Sequence, residues 1–310
     1  MKKIVLTVIL FISVALAAEL SARTLGLSSP LLYRASSAGY ELVPNQTVNL
    51  LGRSTHINAL GTRGPETTPI PVKGRFRVLV LGDSVANGGN QIHDWQSWPL
   101  QMEGILKGRG MQIEVLNASA GGWAIGNAAG WIAEHGTLGA QLILLEVNEK
   151  DLDQQFAGQS LLDSNPSFPT RNPSMALGAL VERYILPRLG MGASPSDPGS
   201  TAGMFQPQNT EEVLEEIGKI RIIAEKNKAR FMLLYWDLRL PAPPLVAHAR
   251  DRLFAYAAQQ DVEVIRPSLG EDDSRDHFFR DDIHPNVEGN TAIAEELAQH
   301  ILPEVRTHIQ

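Results

Sequence analysis

Short stretches of nearly unbroken apolar residues, set apart by helical patterns, restrict this chain's architecture more than any other feature. They are residues 76–81 (F-R-V-L-V-L), 113–116, 142–147 (L-I-L-L-E-V) and 231–235, with a weaker fifth at 262–265. Runs of this kind, four to six residues long and lacking polar alternation, are strands buried on both faces, as in a parallel sheet. Helical periodicity lies between them at 99–107, 210–226 and 245–260. A last helix is expected from Asn286, a good N-cap residue, to Ile301, ending before Pro303. Strand–helix alternation of this sort implies a three-layer α/β/α sandwich with a mainly parallel sheet.

The flanking segments read differently. Lys2 and Lys3 precede an apolar stretch over 4–18, broken only by Thr7 and Ser13 and closed by Glu19. A positive start followed by an apolar core is an export signal, and Ala15-Leu16-Ala17 has the spacing of a cleavage site. Fifteen helical residues reach about 22 Å, short of a bilayer's ~30 Å core, unless the helix continues through Leu20 as an anchor. Residues 1–25 are therefore expected to be a signal peptide or membrane anchor, possible anchoring running through residues 4–20. The protein is then exported and periplasmic, soluble or held at the inner membrane. Residues 26–72, rich in Ser, Pro, Gly and Asn, read as an N-terminal extension containing a structured turn at 58–64 of no evident purpose. Residues 73–310 form the main domain. Within it 153–208 is too long and too rich in Pro, Ser and Gly for an ordinary connection, and reads as a substrate-side insertion.

Composition excludes several chemistries. A formal charge of −7 speaks against nucleic acid as a partner. The absence of cysteine rules out disulfides, thiolate catalysis and cysteine-ligated zinc. Asp272, Asp273, Asp276 and His277 are sequential groups in a loop and read as a solvated face, so neither a metal nor any other cofactor is expected.

In an open parallel sheet, ligands sit at the carboxyl ends of the strands. The first strand ends in Gly82-Asp83-Ser84, which places a hydroxyl at the opening of a helix. The second runs into Asn117-Ala118-Ser119-Ala120-Gly121-Gly122-Trp123, where a glycine can bring a backbone N–H close to a ligand. The third ends at Val147-Asn148-Glu149, and Asp281-Asp282-Ile283-His284-Pro285 precedes the last helix. The D-x-x-H spacing lets one loop carry an imidazole and the carboxylate that orients it, which a serine needs to act as a nucleophile.

Four such blocks in this order resemble an SGNH (GDSL-type) hydrolase over about residues 75–302: G-D-S, N-A-S-x-x-G, the asparagine block and D-x-x-H-P-N-x-x-G. The resemblance implies a flavodoxin-like sandwich with Ser84 as nucleophile, His284 as general base and Asp281 as its partner. It implies an oxyanion hole from the Ser84 N–H, the Gly122 N–H and the Asn148 amide. The third block departs from the family's usual G-x-N-D, carrying Glu146 for the glycine and Glu149 for the aspartate. Gly121 is a rival donor, Asp282 a rival carboxylate and His277 a rival base. Asp83 is expected to brace the nucleophile turn, and Trp95 and Trp98 to pack in the core. Trp123 is the tryptophan placed to face substrate. The expected function is a serine esterase acting on O-acyl, above all acetyl, esters of an extracytoplasmic carbohydrate. Its substrate partner would be a small-molecule or oligosaccharide ester. The alternatives are an O-acyltransferase and an inactive envelope-associated binding module.

Overall fold

The computed structural model describes residues 2–186, 189, 209–239, 244–268 and 275–309. The first element, α1 (Lys2–Thr24), has a mean hydropathy of 2.4 and buries none of its apolar window. Among the described residues it is the one helix long and apolar enough to cross a membrane. At 1.5 Å per residue its length is about 34 Å, greater than the 4–18 segment suggests, because Glu19 does not end it. The Glu19 carboxylate instead accepts from Arg23 Nε at 2.8 Å one turn on. It also accepts from the backbone N–H groups of Ala176 (2.8 Å) and Leu177 (3.0 Å), capping a second helix.

Residues 26–72 fold into two antiparallel hairpins, β1 (Tyr33–Ser36) with β2 (Gly39–Leu42), and β3 (Gln46–Leu50) with β4 (Arg53–Ile57). The second turns on Leu51 (φ 50°) and Gly52 (φ 80°), both in the left-handed region that a two-residue hairpin turn requires. The extension is not loosely attached: Tyr40, Leu42, Val48 and Ile57 enter the same core cluster as the main sheet. Two fully buried arginines pin it. Arg77 Nε binds Glu114 (2.9 Å) while its Nη atoms hold the carbonyls of Thr68 (2.8 Å) and Leu138 (2.6 Å). Arg63 Nε binds Asp94 (2.7 Å), and its Nη atoms donate to the carbonyls of Asn87, Gly89 (2.5 Å) and Ile92 (2.9 Å). The 58–64 turn thus has a purpose. It delivers a guanidinium that ties the extension to the loop after residue 84.

The apolar runs become β5 (Phe76–Gly82), β6 (Ile113–Ser119), β7 (Leu142–Asn148), β8 (Arg230–Trp236) and β9 (Glu263–Ile265). They form one parallel sheet in the order β6-β5-β7-β8-β9. In order of appearance that is 2-1-3-4-5, the flavodoxin-like winding, and the three-layer expectation holds. Alternate residues serve opposite layers, as the strand period of two demands. Leu79, Leu81, Ile143, Leu145 and Leu233 face α4 (Ile125–His135), α6 (Asn209–Lys226) and α7 (Pro244–Gln259). Val78, Val80, Leu142, Leu144 and Met232 face α3 (Trp98–Gly108) and α8 (Val287–Ile309).

The two short helices are α2 (Ser84–Asn87) and α5 (Ala176–Leu180); the latter, capped by Glu19, continues as a π-turn over Val181–Ile185. Helix α4 has no counterpart in the sequence reading. Its Gly130 shows why it is small-residue-rich: a Cβ there would sit 2.9 Å from Ser37 O, so the β1–β2 turn leans on bare backbone. Helix α8 starts as expected, with Asn286 Oδ1 accepting from Gly289 N at 2.9 Å. It does not stop before Pro303 but runs on to Ile309. Val305 beyond the proline is fully buried, and Glu304 pairs with Arg230 at 2.9 Å; these contacts outweigh the lost backbone bond.

Removing the Arg63 guanidinium strands Asp94 and three carbonyls in a buried site. Arg63→Met is expected to lower the unfolding free energy by about 3–5 kcal/mol in urea titration. Arg75→Lys, at a half-exposed site 3.8 Å from Glu114, is expected to change it by less than about 0.5 kcal/mol.

Candidate active site

Strand β5 delivers Ser84 to the rim of the sheet, and Asp83 turns the chain into α2. Asp83 Oδ1 accepts from Val85 N at 2.7 Å as the N-cap of that helix, the bracing role expected of it. Across the rim, the loop before α8 presents His284. Ser84 Oγ lies 2.8 Å from His284 Nε2, and His284 Nδ1 lies 2.9 Å from Asp281 Oδ2. A carboxylate only accepts, so Nδ1 carries the proton and Nε2 offers its lone pair to the hydroxyl. The D-x-x-H loop is rigid for a local reason: Asp281 Oδ1 also accepts from the backbone of Ile283 (3.0 Å) and His284 (2.8 Å). Partial burial alone would raise the Asp281 pKa. The hydrogen bonds and charge of His284, with the two backbone donors, outweigh burial and hold it below the usual carboxylate range. Asp281 therefore stays ionised wherever the fold survives.

These groups open into a cleft of about 250 Å³. Gly121 and Gly122 form its wall beside Ser84, and Pro30, Leu31 and Tyr33 of the extension and Ser167 and Phe168 of the insertion close it. Gly122 has φ +72°, a conformation that favours glycine. Behind it, the Tyr40 hydroxyl donates to Gly121 O (2.9 Å) and Gln154 Nε2 to Gly122 O (3.1 Å). In a trans peptide the C=O and N–H point opposite ways, so a carbonyl drawn toward Tyr40 turns the Gly122 N–H away from the core. Among the described residues neither that N–H nor the Ser84 N–H has an acceptor. Tyr40 positions this peptide, and Gln154 holds the next one, Gly122–Trp123. No sequence signal near the glycines pointed to either.

Three expectations, for Asn148, Trp123 and Trp95, require correction. Asn148 does not reach the cleft. It is fully buried, and its Nδ2 donates to Asp83 Oδ2 (3.2 Å) and Glu146 Oε1 (3.4 Å), so its amide braces the nucleophile turn instead of pointing at an oxyanion. Trp123 does not face substrate either. It is 2% exposed and its indole N–H donates to Tyr40 O at 2.9 Å, which makes it core. Of the other tryptophans, Trp98 is buried, whereas Trp95 is 65% exposed and stacks on His93. The rivals stand aside. Asp282 is exposed and pairs with Arg239, and His277 is exposed against Phe278. Asp272 and Asp273 lie outside the described residues.

The Glu146 that replaces a glycine has a definite place. Its carboxyl rises beneath the nucleophile turn, where a Cβ on Gly82 would come within 2.8 Å of Oε2. There it accepts from Asp83 N (3.3 Å) and shares a hydrogen bond with the Asp83 carboxyl. Asp151 completes the group by capping the Asn148 N–H at 2.7 Å. Asp83, Glu146 and Asp151 are all buried with ligand atoms within 4.8 Å, the one set among the described residues close enough to share a cation. Protons account for it. Burial first, then mutual repulsion, pushes Glu146 and Asp151 well above their usual range, and burial raises Asp83. A neutral Glu146 donating to an ionised Asp83 satisfies both groups.

The sign of the resulting pH dependence follows. A carboxyl whose folded pKa lies above its unfolded value stabilises the fold fully below the unfolded value. That stabilisation is lost as pH climbs through the folded value. The wild-type thermal midpoint is expected to fall as pH climbs above the ordinary carboxylate range, and Glu146→Gln, locked in the neutral form, to flatten that fall in a melting series across the same pH values.

No protein-family model and no curated protein matches the chain. Solved structures similar to it include a putative acylhydrolase from Bacteroides fragilis, 15% identical over 76% of this chain and 91% of that one, with a TM-score of 0.48. A GDSL-like lipase from Bacteroides thetaiotaomicron is 14% identical over 76% and 91%, with a TM-score of 0.46. A family 3 carbohydrate esterase from Clostridium thermocellum is 14% identical over 76% and 100%, with a TM-score of 0.44.

Proposed function

We propose that the chain is an SGNH/GDSL-type serine esterase. The observation that carries this reading is the relay from Ser84 Oγ to His284 Nε2 (2.8 Å) and from His284 Nδ1 to Asp281 (2.9 Å), open to a cleft. As Oγ bonds to an ester carbonyl carbon, its proton passes to Nε2 and the carbonyl electron pair moves onto oxygen. Asp281 stabilises the imidazolium. The unpaired N–H groups of Ser84 and Gly122 supply the oxyanion donors, each worth about 10²–10³ in rate at sites of this kind. Collapse of the intermediate expels the alcohol, which takes its proton from Nε2. Water then repeats the sequence and frees the acid.

The substrate class we assign is an O-acyl ester with a small acyl group, acetyl first, carried by an extracytoplasmic carbohydrate. The modest volume of the cleft supports the small acyl group. The apolar α1 supports export, as a signal peptide or an anchor. Mature protein beginning near Glu19 in a membrane-free fraction would identify a cleaved signal, and an intact α1 recovered with the membrane would identify an anchor.

Ser84→Ala is expected to lower kcat on p-nitrophenyl acetate by at least about 10⁴-fold with an unchanged melting profile. A fluorophosphonate probe should label the wild type and not the variant. Undiminished turnover by Ser84→Ala would sink the assignment.

A further inference from the structure

The chain as a whole is acidic, at −7, yet the catalytic cleft is not. Its charged lining consists of Arg183, Arg280, Asp281 and His284, and the lone carboxylate among them is engaged by His284. Arg280 is the informative group. Its side chain is only 20% exposed, and its Nε is buried with no hydrogen-bond partner among the described residues. Nη1 reaches only Gly88 O, at 3.4 Å. The distance from Nε to Asp281 Oδ2 is 3.7 Å, an electrostatic contact too long for a hydrogen bond. A guanidinium has five donors in a rigid fork suited to paired oxygens. Of these only Nε is wholly buried; the Nη groups, with one long contact to Gly88 O, lie on the partly open cleft wall and are the donors placed to take up an anion.

The surroundings have the same sign. Arg63 lies close enough to Arg280 to act on it electrostatically, second to burial in depressing its pKa. Asn90 and Gln91 add amides to the same wall. With Asp281 engaged by His284, guanidinium charge outweighs carboxylate on this wall, and such a cleft concentrates anions even on a protein of contrary net charge.

Taking the esterase reading as given, the geometry points to an anionic substrate: Arg280 binds a carboxylate or phosphate carried by the ester whose acyl group meets Ser84. The interaction sets specificity. Arg280 takes no part in the proton relay.

Acetate esters of three para-substituted phenols test this, each rate taken relative to that ester's own hydroxide hydrolysis: 4-acetoxybenzoate, 4-acetoxyphenyl phosphate and the neutral methyl 4-acetoxybenzoate. The wild type is expected to favour an anionic ester over the neutral one by about 10–100-fold in kcat/KM, mostly through KM. Whichever anion is preferred separates a carboxylate-bearing from a phosphate-bearing source. In Arg280→Gln the ratio should fall toward one. In Arg239→Gln, outside the cleft, it should stay at the wild-type value. A wild-type ratio of one or less, or a ratio untouched by Arg280→Gln, overturns the anion site while leaving the esterase reading intact. Failure of that reading looks different: none of the three esters is turned over, and the fluorophosphonate probe does not label Ser84.

Discussion

Two hundred residues of chain separate the hydroxyl of Ser84 from the imidazole of His284, and the packing of α3 against α8 closes that gap. Both helices lie on the same layer of the sheet, where Trp98, Met102 and Leu106 of α3 meet Ile293, Leu297 and Ile301 of α8. Polar contacts set their register. Trp98 N donates to Asn290 Oδ1 at 2.9 Å and Thr291 Oγ1 to Gln101 at 2.8 Å, both within the first turns of their helices. The first turn of α8 follows the loop that carries Asp281 and His284, and that of α3 follows the segment after α2, which opens with Ser84. A shift of one helical turn would move His284 by about 5 Å and break a contact that works only within hydrogen-bond reach.

Beneath Ser84 the arrangement is unusually polar for a core. Asp83, Glu146, Asn148 and Asp151 are all buried and hold one another, so the turn that aims Ser84 rests on hydrogen bonds as well as on apolar packing. Such a network is rigid when fully satisfied and expensive when not. Asn148 is drawn inward by this network, which explains how an asparagine at the correct place in the chain can end up outside the cleft. The donors turned to the cleft are then backbone groups, and the glycine turn is held by Tyr40 of the extension on the Gly121–Gly122 peptide and by Gln154 of the insertion on the peptide after it.

The central sheet was legible because its strands are buried on both faces, and burial on both sides writes itself into composition. Helix α4 was not, because alanine and glycine packed against a hairpin leave no apolar periodicity to see. The hairpins of 26–72 were hidden likewise: short strands with polar outer faces and Ser-, Asn- and Gly-rich turns resemble a loop until their few apolar residues are found in the main core. Pro303 was read by local rule as a stop. Tertiary contacts on its far side overrode that rule. Trp123 follows the glycine block in sequence, yet adjacency in the chain says nothing of which way an indole points.

What the sequence determined by itself is local and compositional: buried strands, the serine just past one of them, and an aspartate three residues before a histidine. Each is written within a few residues of its neighbours, so spacing alone conveys it. Tertiary structure decided what depends on distant partners: that Ser84 and His284 meet, that Asn148 turns inward, that Arg63 and Arg77 tie the extension to the sheet, and that Arg280 is left with unused donors in the cleft. The physical reason is the same in each case. Hydrogen bonds and charge interactions act over a few ångströms in space, and only the folded chain brings those residues within that range.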